Sequence, residues 1–313
     1  MKRRVFIAGC LVSISFVASA HAAELRTVAL TGKLAPGTAD GVTFETFGTF
    51  LHPLLQYGYG GAVLNDAGQV AFRANLTGSG VDSSNHQGIW SEGSGSLGLI
   101  ARTGSQAPGA PAGVNFSTDS ALELFFPAFN DAGQTAFYGA TTDGGLGLWS
   151  EGSGSLASVA RSGEHAPGTP AGVTYTFANL YELLDGPVLN NAGQTTFRSS
   201  LSGPGVTNAN ILGRWSEGSG SLALVARRGS SMPGLPAGVV NNGMEEAGLN
   251  NAGQSVFWAQ LTGSGVNSSN DFSVWSEGSG SLQLVAREGN PAPGLPGVTF
   301  DGIFATGAIN NAG

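Results

Sequence analysis

From Gly88 to Arg102, in GIWSEGSGSLGLIAR, two arms of alternating apolar and polar residues flank a Gly-Ser-Gly-Ser turn. Alternation at period two, with Trp, Ile and Leu on the arms and glycine between them, predicts a β-hairpin. The pattern returns as GLWSEGSGSLASVAR at 147–161, GRWSEGSGSLALVAR at 213–227 and SVWSEGSGSLQLVAR at 273–287. A second hairpin precedes each copy: AVLNDAGQVAFRANL at 62–76, PAFNDAGQTAFYGAT at 127–141, PVLNNAGQTTFRSSL at 187–201 and AGLNNAGQSVFWAQL at 247–261. In these, Gly68, Gly133, Gly193 and Gly253 fall where a type I turn needs a left-handed residue. Asn65, Asn130, Asn190 and Asn250 are placed to hydrogen-bond the backbone of their own turn.

Two hairpins per unit give four antiparallel strands, a to d, in units of 59 to 66 residues counted from Trp to Trp. That size and content predict an all-β fold, a β-propeller of four-stranded antiparallel blades with about 60 residues per repeat. A β-helix would need shorter rungs, and a sandwich would not repeat its strands so closely. The repeats run approximately over 60–109, 126–168, 186–234 and 246–294, with a partial unit at 304–313. Val28-Ala29-Leu30-Thr31-Gly32, followed by Ala35-Pro36-Gly37, matches Ile100 to Gly104 and Ala107-Pro108-Gly109. Residues 24–32 are therefore expected to supply a strand d that closes the final blade and removes an exposed edge. Because Ile309 to Gly313 stops inside an a–b turn, the ring is expected to be incomplete and the sequence a fragment.

The N-terminal segment predicts export, to the extracellular space, the cell surface or the periplasm. Lys2, Arg3 and Arg4, an apolar run from Val5 to Ala18 and Ala20-His21-Ala22 describe a secretory signal peptide over 1–22, leaving 23–313 as one domain. Two rival readings of this segment are a lipobox at Ile7-Ala8-Gly9-Cys10 and a twin-arginine signal at Arg3-Arg4. The apolar run is too short for a membrane anchor, so no transmembrane segment is expected after signal removal. Cleavage removes three of the 13 basic residues and none of the 21 acidic ones, taking the net charge from −8 to −11. Nucleic acid and anionic membranes, which need a basic surface, are excluded as partners. Cys10 is the single cysteine and leaves with the signal, so neither a disulfide nor a thiolate metal site is available. A monomer without cofactor is expected.

The Asn-x-x-Gly-x-x-Ala-Phe core, present as Asn65 to Phe72 and as Asn130 to Phe137, resembles the NxxGxxAF tandem-repeat proteins. These are exported bacterial proteins with variable ("choice-of-anchor") C-terminal surface signals. The resemblance covers nearly all of the mature chain and departs where Thr196 and Val256 replace the alanine. It implies export and surface attachment, and no activity.

Blade connectivity puts the a–b and c–d turns on one face and the b–c loops and d-to-a connectors on the other. The first is nearly invariant among repeats, whereas the b–c loops differ: GSGVDSSNHQ at 78–87, GPGVTNANIL at 203–212 and GSGVNSSNDF at 263–272. Variation points to the loop face as the one used. Repeat two has only Asp143-Gly144-Gly145 there, so Phe137 and Trp149 are 12 positions apart against 18 for Phe72 and Trp90. This shortening predicts a notch. Asp82, Asn85, His86, Asn208, Asn210, Asn267, Asn270 and Asp271 populate the rims, side chains suited to sugar hydroxyls or to loop formation itself. Calcium is disfavoured because no D-x-D-x-D-G spacing occurs.

Arg102, Arg161, Arg227 and Arg287 end every strand d on this face. They suit an acidic glycan or, as repeated residues, a structural pin to the Ala-Pro-Gly connector. Glu92, Glu151, Glu217 and Glu277 lie at the opposite turns and are not expected to pair with these arginines. Four copies of one carboxylate also differ from a catalytic pair, and Trp90, Trp149, Trp215 and Trp275 read as packing between blades. His52, His86 and His165 share no repeat position, and no catalytic or metal-binding motif is present. Glu245-Glu246 reads as a solvated loop, and the aromatic connectors Phe44–Tyr59 and Phe116–Phe129 as covers or contact surfaces. Carbohydrate or a cell-envelope component is the expected partner; a polysaccharide hydrolase or lyase and a ligand-free surface spacer are the alternatives.

Overall fold

The computed structural model describes residues 25–48, 61–118, 123–177, 186–303 and 308–313, all strand, turn and loop, with no helix among them. Blade 1 comprises β1 (Val42–Phe47), β2 (Val63–Leu64), β3 (Val70–Gly78), β4 (Gln87–Ser91) and β5 (Gly98–Arg102). Blade 2 comprises β6 (Leu124–Phe129), β7 (Thr135–Ala140), β8 (Leu146–Ser150) and β9 (Ala157–Arg161). Blade 3 holds β10 (Thr174–Tyr175), β11 (Val188–Leu189), β12 (Thr195–Ser202), β13 (Leu212–Ser216) and β14 (Ala223–Arg227). Blade 4 holds β15 (Val239–Leu249), β16 (Ser255–Gly263), β17 (Phe272–Ser276) and β18 (Gln283–Arg287). Each is one antiparallel sheet ordered a-b-c-d. The array is propeller-like and unclosed. Inner-strand residues of blades 3 and 4 and of the next turn (Val188, Ala247 to Leu249, Ala308 to Asn310) line one cavity of about 550 Å³.

Strand a departs from the sequence reading. In blade 4 it is one long strand, β15, pairing with β16 from Val239–Gly263 to Leu249–Ser255 across two bulges. In blade 1 its halves are β1 and β2, both paired with β3. The described parts of the aromatic connectors are thus largely inner strand: Phe44 and Phe125 are buried core residues, while 49–60 and 119–122 lie outside the described residues. Glu245, expected in a loop, is on β15 opposite Trp258. VTFETF and VVNNGMEEAGL share little beyond a leading valine, so the repeat that exposes the other strands conceals this one.

The core lies between successive sheets. Trp149 packs with Ile89, Ala101 and Ala107, contributed from blade 1 and its outgoing connector, and with Phe116, Leu124 and Phe137 of blade 2. Burying an indole contributes about 4–6 kcal/mol of apolar transfer before ordering entropy is subtracted. Edge-on aromatic pairs recur at ring distances of 4.9 Å: Phe44 on Trp90, Phe116 on Trp149 and Tyr175 on Trp215. Each of these indoles donates to a connector proline carbonyl, Pro36, Pro108 or Pro167, at 2.9 Å. Blade 4 breaks the pattern. Asn241 replaces the aromatic, and Trp275 donates to Ser273 Oγ, at a position that is glycine in the other three blades. Met232, where the other connectors have alanine, joins the core beside Trp275.

The turn face is tied from blade to blade. Asn65, Asn130, Asn190 and Asn250 each accept the amide four residues on in their own turn, as expected. Their side-chain amides also donate to the backbone carbonyls of Asn130, Asn190, Asn250 and Asn310 in the next blade, at 3.1, 2.8, 2.7 and 2.9 Å. Beside this ladder, the backbone N–H groups of Asp66, Asp131, Asn191 and Asn251 donate to the Oδ1 atoms of Asp131, Asn191, Asn251 and Asn311. The c–d turns close the same seam. A Cβ on Gly93, Gly152 or Gly218 would stand 1.7–1.8 Å from the carbonyl oxygen of Gly133, Gly193 or Gly253.

Val28 to Thr31 forms no strand, yet it takes the place of a preceding strand d. Gly32 N–H donates to Phe44 C=O at 2.7 Å, as Gly104 does to Phe116 and Gly163 to Tyr175, at 2.8 and 2.9 Å. Val28 and Ala29 pack on the core of blade 1, and Arg26 forms an ion pair of 2.6 Å with Glu92.

Candidate functional site

The b–c loops close on themselves before they meet anything else. In blade 1, Asp82 Oδ1 accepts Ser84 N–H and O–H at 2.8 and 2.6 Å, which holds the Asp82 carboxyl below the usual carboxylate range. Asn85 accepts from Asp82 N–H and donates to Gly80 C=O. Asn210 does the same with Thr207 and Gly205, and Asn270 with Asn267 and Gly265. Asn267 in turn accepts from Ser269, and Asn208 is exposed.

The four arginines pin strand d, but to the loop of their own blade and not to the connector. Arg102, Arg227 and Arg287 donate through Nε to the carbonyls of Asn85, Asn210 and Asn270 at 2.7, 2.8 and 2.8 Å. In blade 2, whose loop is short, Arg161 meets the Asp143 carboxylate at 2.9 Å. Asp143 thus stands in for the missing asparagine carbonyl.

His86 and Asp271 occupy the same repeat position, at the end of the b–c loop, and each belongs to an unrepeated polar group. Asp271 Oδ2 accepts from Gln260, which accepts from Asn242, which accepts from Arg228. Around His86 the group spans blades 1 and 2. Gln87 is fully buried, where the other blades have Leu146, Leu212 and Phe272. Leu124 N–H donates to Gln87 Oε1 at 2.8 Å. That donor fixes the amide orientation and turns Gln87 Nε2 toward Glu123 Oε2, its acceptor. Arg73 meets the same carboxylate oxygen at 3.3 Å; burial lowers the Arg73 guanidinium from its ordinary value while Glu123 opposes the shift. His86 Nε2 lies 3.9 Å from Glu123 Oε1.

Ala140 N–H donates to Glu123 C=O, and the shortened loop of blade 2 begins at the next residue, Thr141. Glu123 therefore sits beside the start of the shortened blade 2 loop. The chain belongs to the family of unknown function DUF7453, whose profile matches residues 13–313. No curated protein matches the chain. For this family member, His86 was legible from the sequence, whereas Arg73, Gln87 and Glu123 were not. For Gln87 and Glu123 the signal is polarity where other repeats are apolar or small: Gln87 against leucine and phenylalanine, and Glu123 against Thr46 and Gly243 on the matching strands; Arg73 carries no such signal, since Arg198 holds its position in blade 3. Among the described residues no three His, Cys, Asp or Glu come together as a metal site, and no helix is long and apolar enough to cross a membrane.

Proposed function

We propose that this chain is an exported, surface-associated interaction module that recognises carbohydrate or another cell-envelope component through its b–c loop face. The signal-like segment 1–22 and the likeness to NxxGxxAF choice-of-anchor proteins support export and surface attachment. The observation that carries the reading is the division of labour between faces. One is nearly invariant from blade to blade and spent on holding blades together, and the other carries unrepeated polar groups beside a shortened loop. The test is a glycan and cell-envelope polymer array probed with the full chain. Retention of one glycan class, lost when the loop residues 78–87 are exchanged for 203–212, is the expected result; an array with no retained ligand would leave the spacer reading in its place.

A polysaccharide-cleaving enzyme is the second reading, favoured by one observation: an unrepeated carboxylate and imidazole meet at the end of an inner strand. Release of reducing ends from a polysaccharide panel, abolished by Glu123→Gln, would establish it over the binding module.

A further inference from the structure

We propose that His86 and Glu123 form a subsite for two adjacent hydroxyl groups of a neutral sugar, an inference that rests on the carbohydrate reading above and names its contact point. His86 Nδ1 lies 3.1 Å from the Ser83 carbonyl oxygen. A carbonyl only accepts, so Nδ1 carries the proton, and in the neutral imidazole Nε2 is a bare acceptor. Glu123 Oε2 is taken by two donors, Gln87 and Arg73. Its other oxygen, Oε1, faces His86 Nε2 at 3.9 Å, too far for a direct hydrogen bond. Among the described residues neither of these two atoms accepts a hydrogen bond. The two side chains are 29% and 21% exposed, open to a ligand and fixed from behind.

Two acceptors aimed at one gap call for a ligand that brings two donors. Vicinal hydroxyls do so, with oxygens roughly 3 Å apart and each able to donate one hydrogen bond of ordinary length. Arg73 neutralises Glu123 locally, so the pair has no net charge to select a cation, which favours a neutral sugar over an amine. The position agrees. Glu123 stands at the foot of the shortened blade 2 loop, and no other blade repeats the pair, since Ile211 and Asp271 replace the imidazole and Thr46 and Gly243 the carboxylate. Gln87, fully buried, acts as a positioning residue: it gives up an apolar core position to orient the carboxylate.

The test titrates the ¹⁵N-labelled full chain at pH 7.5 with maltose and with cellobiose, and with their per-O-methylated forms as probes that cannot donate. The His86 Nε2 resonance is expected to report the Nδ1–H tautomer in the free protein and to shift on adding one of the disaccharides. The methylated forms should leave it unmoved. Glu123→Gln and His86→Phe should each weaken the disaccharide at least tenfold, since each removes one acceptor from a bidentate contact. Thermal unfolding of each variant separates this loss from misfolding; should Glu123→Gln fail to fold, His86→Phe and the methylated probes still decide. Disaccharide binding that both variants retain, or a His86 ring doubly protonated at pH 7.5, overturns the subsite while leaving carbohydrate recognition by the face intact. Failure of the array and of both disaccharides overturns the two together.

Discussion

On the face that carries the a–b and c–d turns, side chains of every blade reach into the next; on the opposite face, the repeated b–c loop asparagines and strand d arginines bond within their own blade, and the Gln87–Glu123 contact that crosses to blade 2 is unrepeated. Asn190 illustrates the first. Its amide donates to Gln194 of its own turn and to the Asn250 carbonyl of blade 4. Asn210 illustrates the second, closing its loop through Thr207 and Gly205 with Arg227 beneath. A residue that serves two blades is constrained twice, and every copy must match its neighbours. A loop that needs only its own blade can change length and content, as blade 2 does when Asp143 replaces the asparagine carbonyl. The contrast teaches where specificity can be built in a repeat protein: on the face whose repeated hydrogen bonds end at home, leaving unrepeated side chains free to cross.

The contrast can be broken most severely at Gly152. A methyl group there would overlap the Gly193 carbonyl across the seam, backbone against backbone. Gly152→Ala is expected to cost about 3–4 kcal/mol in denaturant unfolding. Gly154→Ala, in the same turn but facing open space, should cost only about 1 kcal/mol, for its positive φ of 96°. Equal losses for the two would mean that the seam is not close-packed.

The asparagines sharpen it further. Asn190→Ala removes a buried side chain that makes four hydrogen bonds, one of them to blade 4, and should cost about 3 kcal/mol. Hydrogen exchange should then speed up at the turns of both blades 3 and 4. Asn210→Ala should cost about 1 kcal/mol, with faster exchange confined to 203–212. Spread of that effect into blade 4 would contradict the separation of the faces.

The smallest effect is a matter of pH within the turn face. Glu92 and Glu151 share a repeat position, and each accepts the first amide of strand b, from Val70 and Thr135. Hydrogen bonding from Arg26 holds the Glu92 carboxyl below its ordinary value, whereas burial pushes that of Glu151 up. The signs are opposite. Glu92 contributes stability above its unfolded pKa, lost as pH falls through the lowered folded value. For Glu151, folding is favoured below the unfolded pKa, and that advantage is lost as pH rises through the raised folded value. At pH 7, Glu92→Gln should lower stability by about 0.5 kcal/mol, and Glu151→Gln should leave the melting temperature unchanged or raise it. Melting curves that move the same way for both variants would refute this account of the pair.

Much of this molecule is written in short-range pattern. The Trp hairpins, the Asn-x-x-Gly hairpins, their left-handed glycines and the opposition of the two faces all follow from residues within about twenty positions of each other. Turn chemistry and period-two alternation act at that range. Gly68 and Gly133, with φ of 72° and 77°, sit as the turn type demands. The upstream half of strand a escaped because its sequence is not repeated, and its aromatic residues resemble a connector until a partner strand is present. Arg102 was recognised as a pin, and its partner was misassigned, since the loop and the connector both lie within reach of the end of strand d.

Only the stacking of one blade on the next could decide the rest. The asparagine ladder joins residues about sixty positions apart, and the union of His86 with Glu123 depends on how the first b–c loop overhangs the second inner strand. The sequence by itself determined the blade, because hairpins are fixed by local sterics and alternation. The tertiary structure decided the seam and the candidate site, because the hydrogen bonds that make them cross between sheets whose relative placement no local pattern encodes.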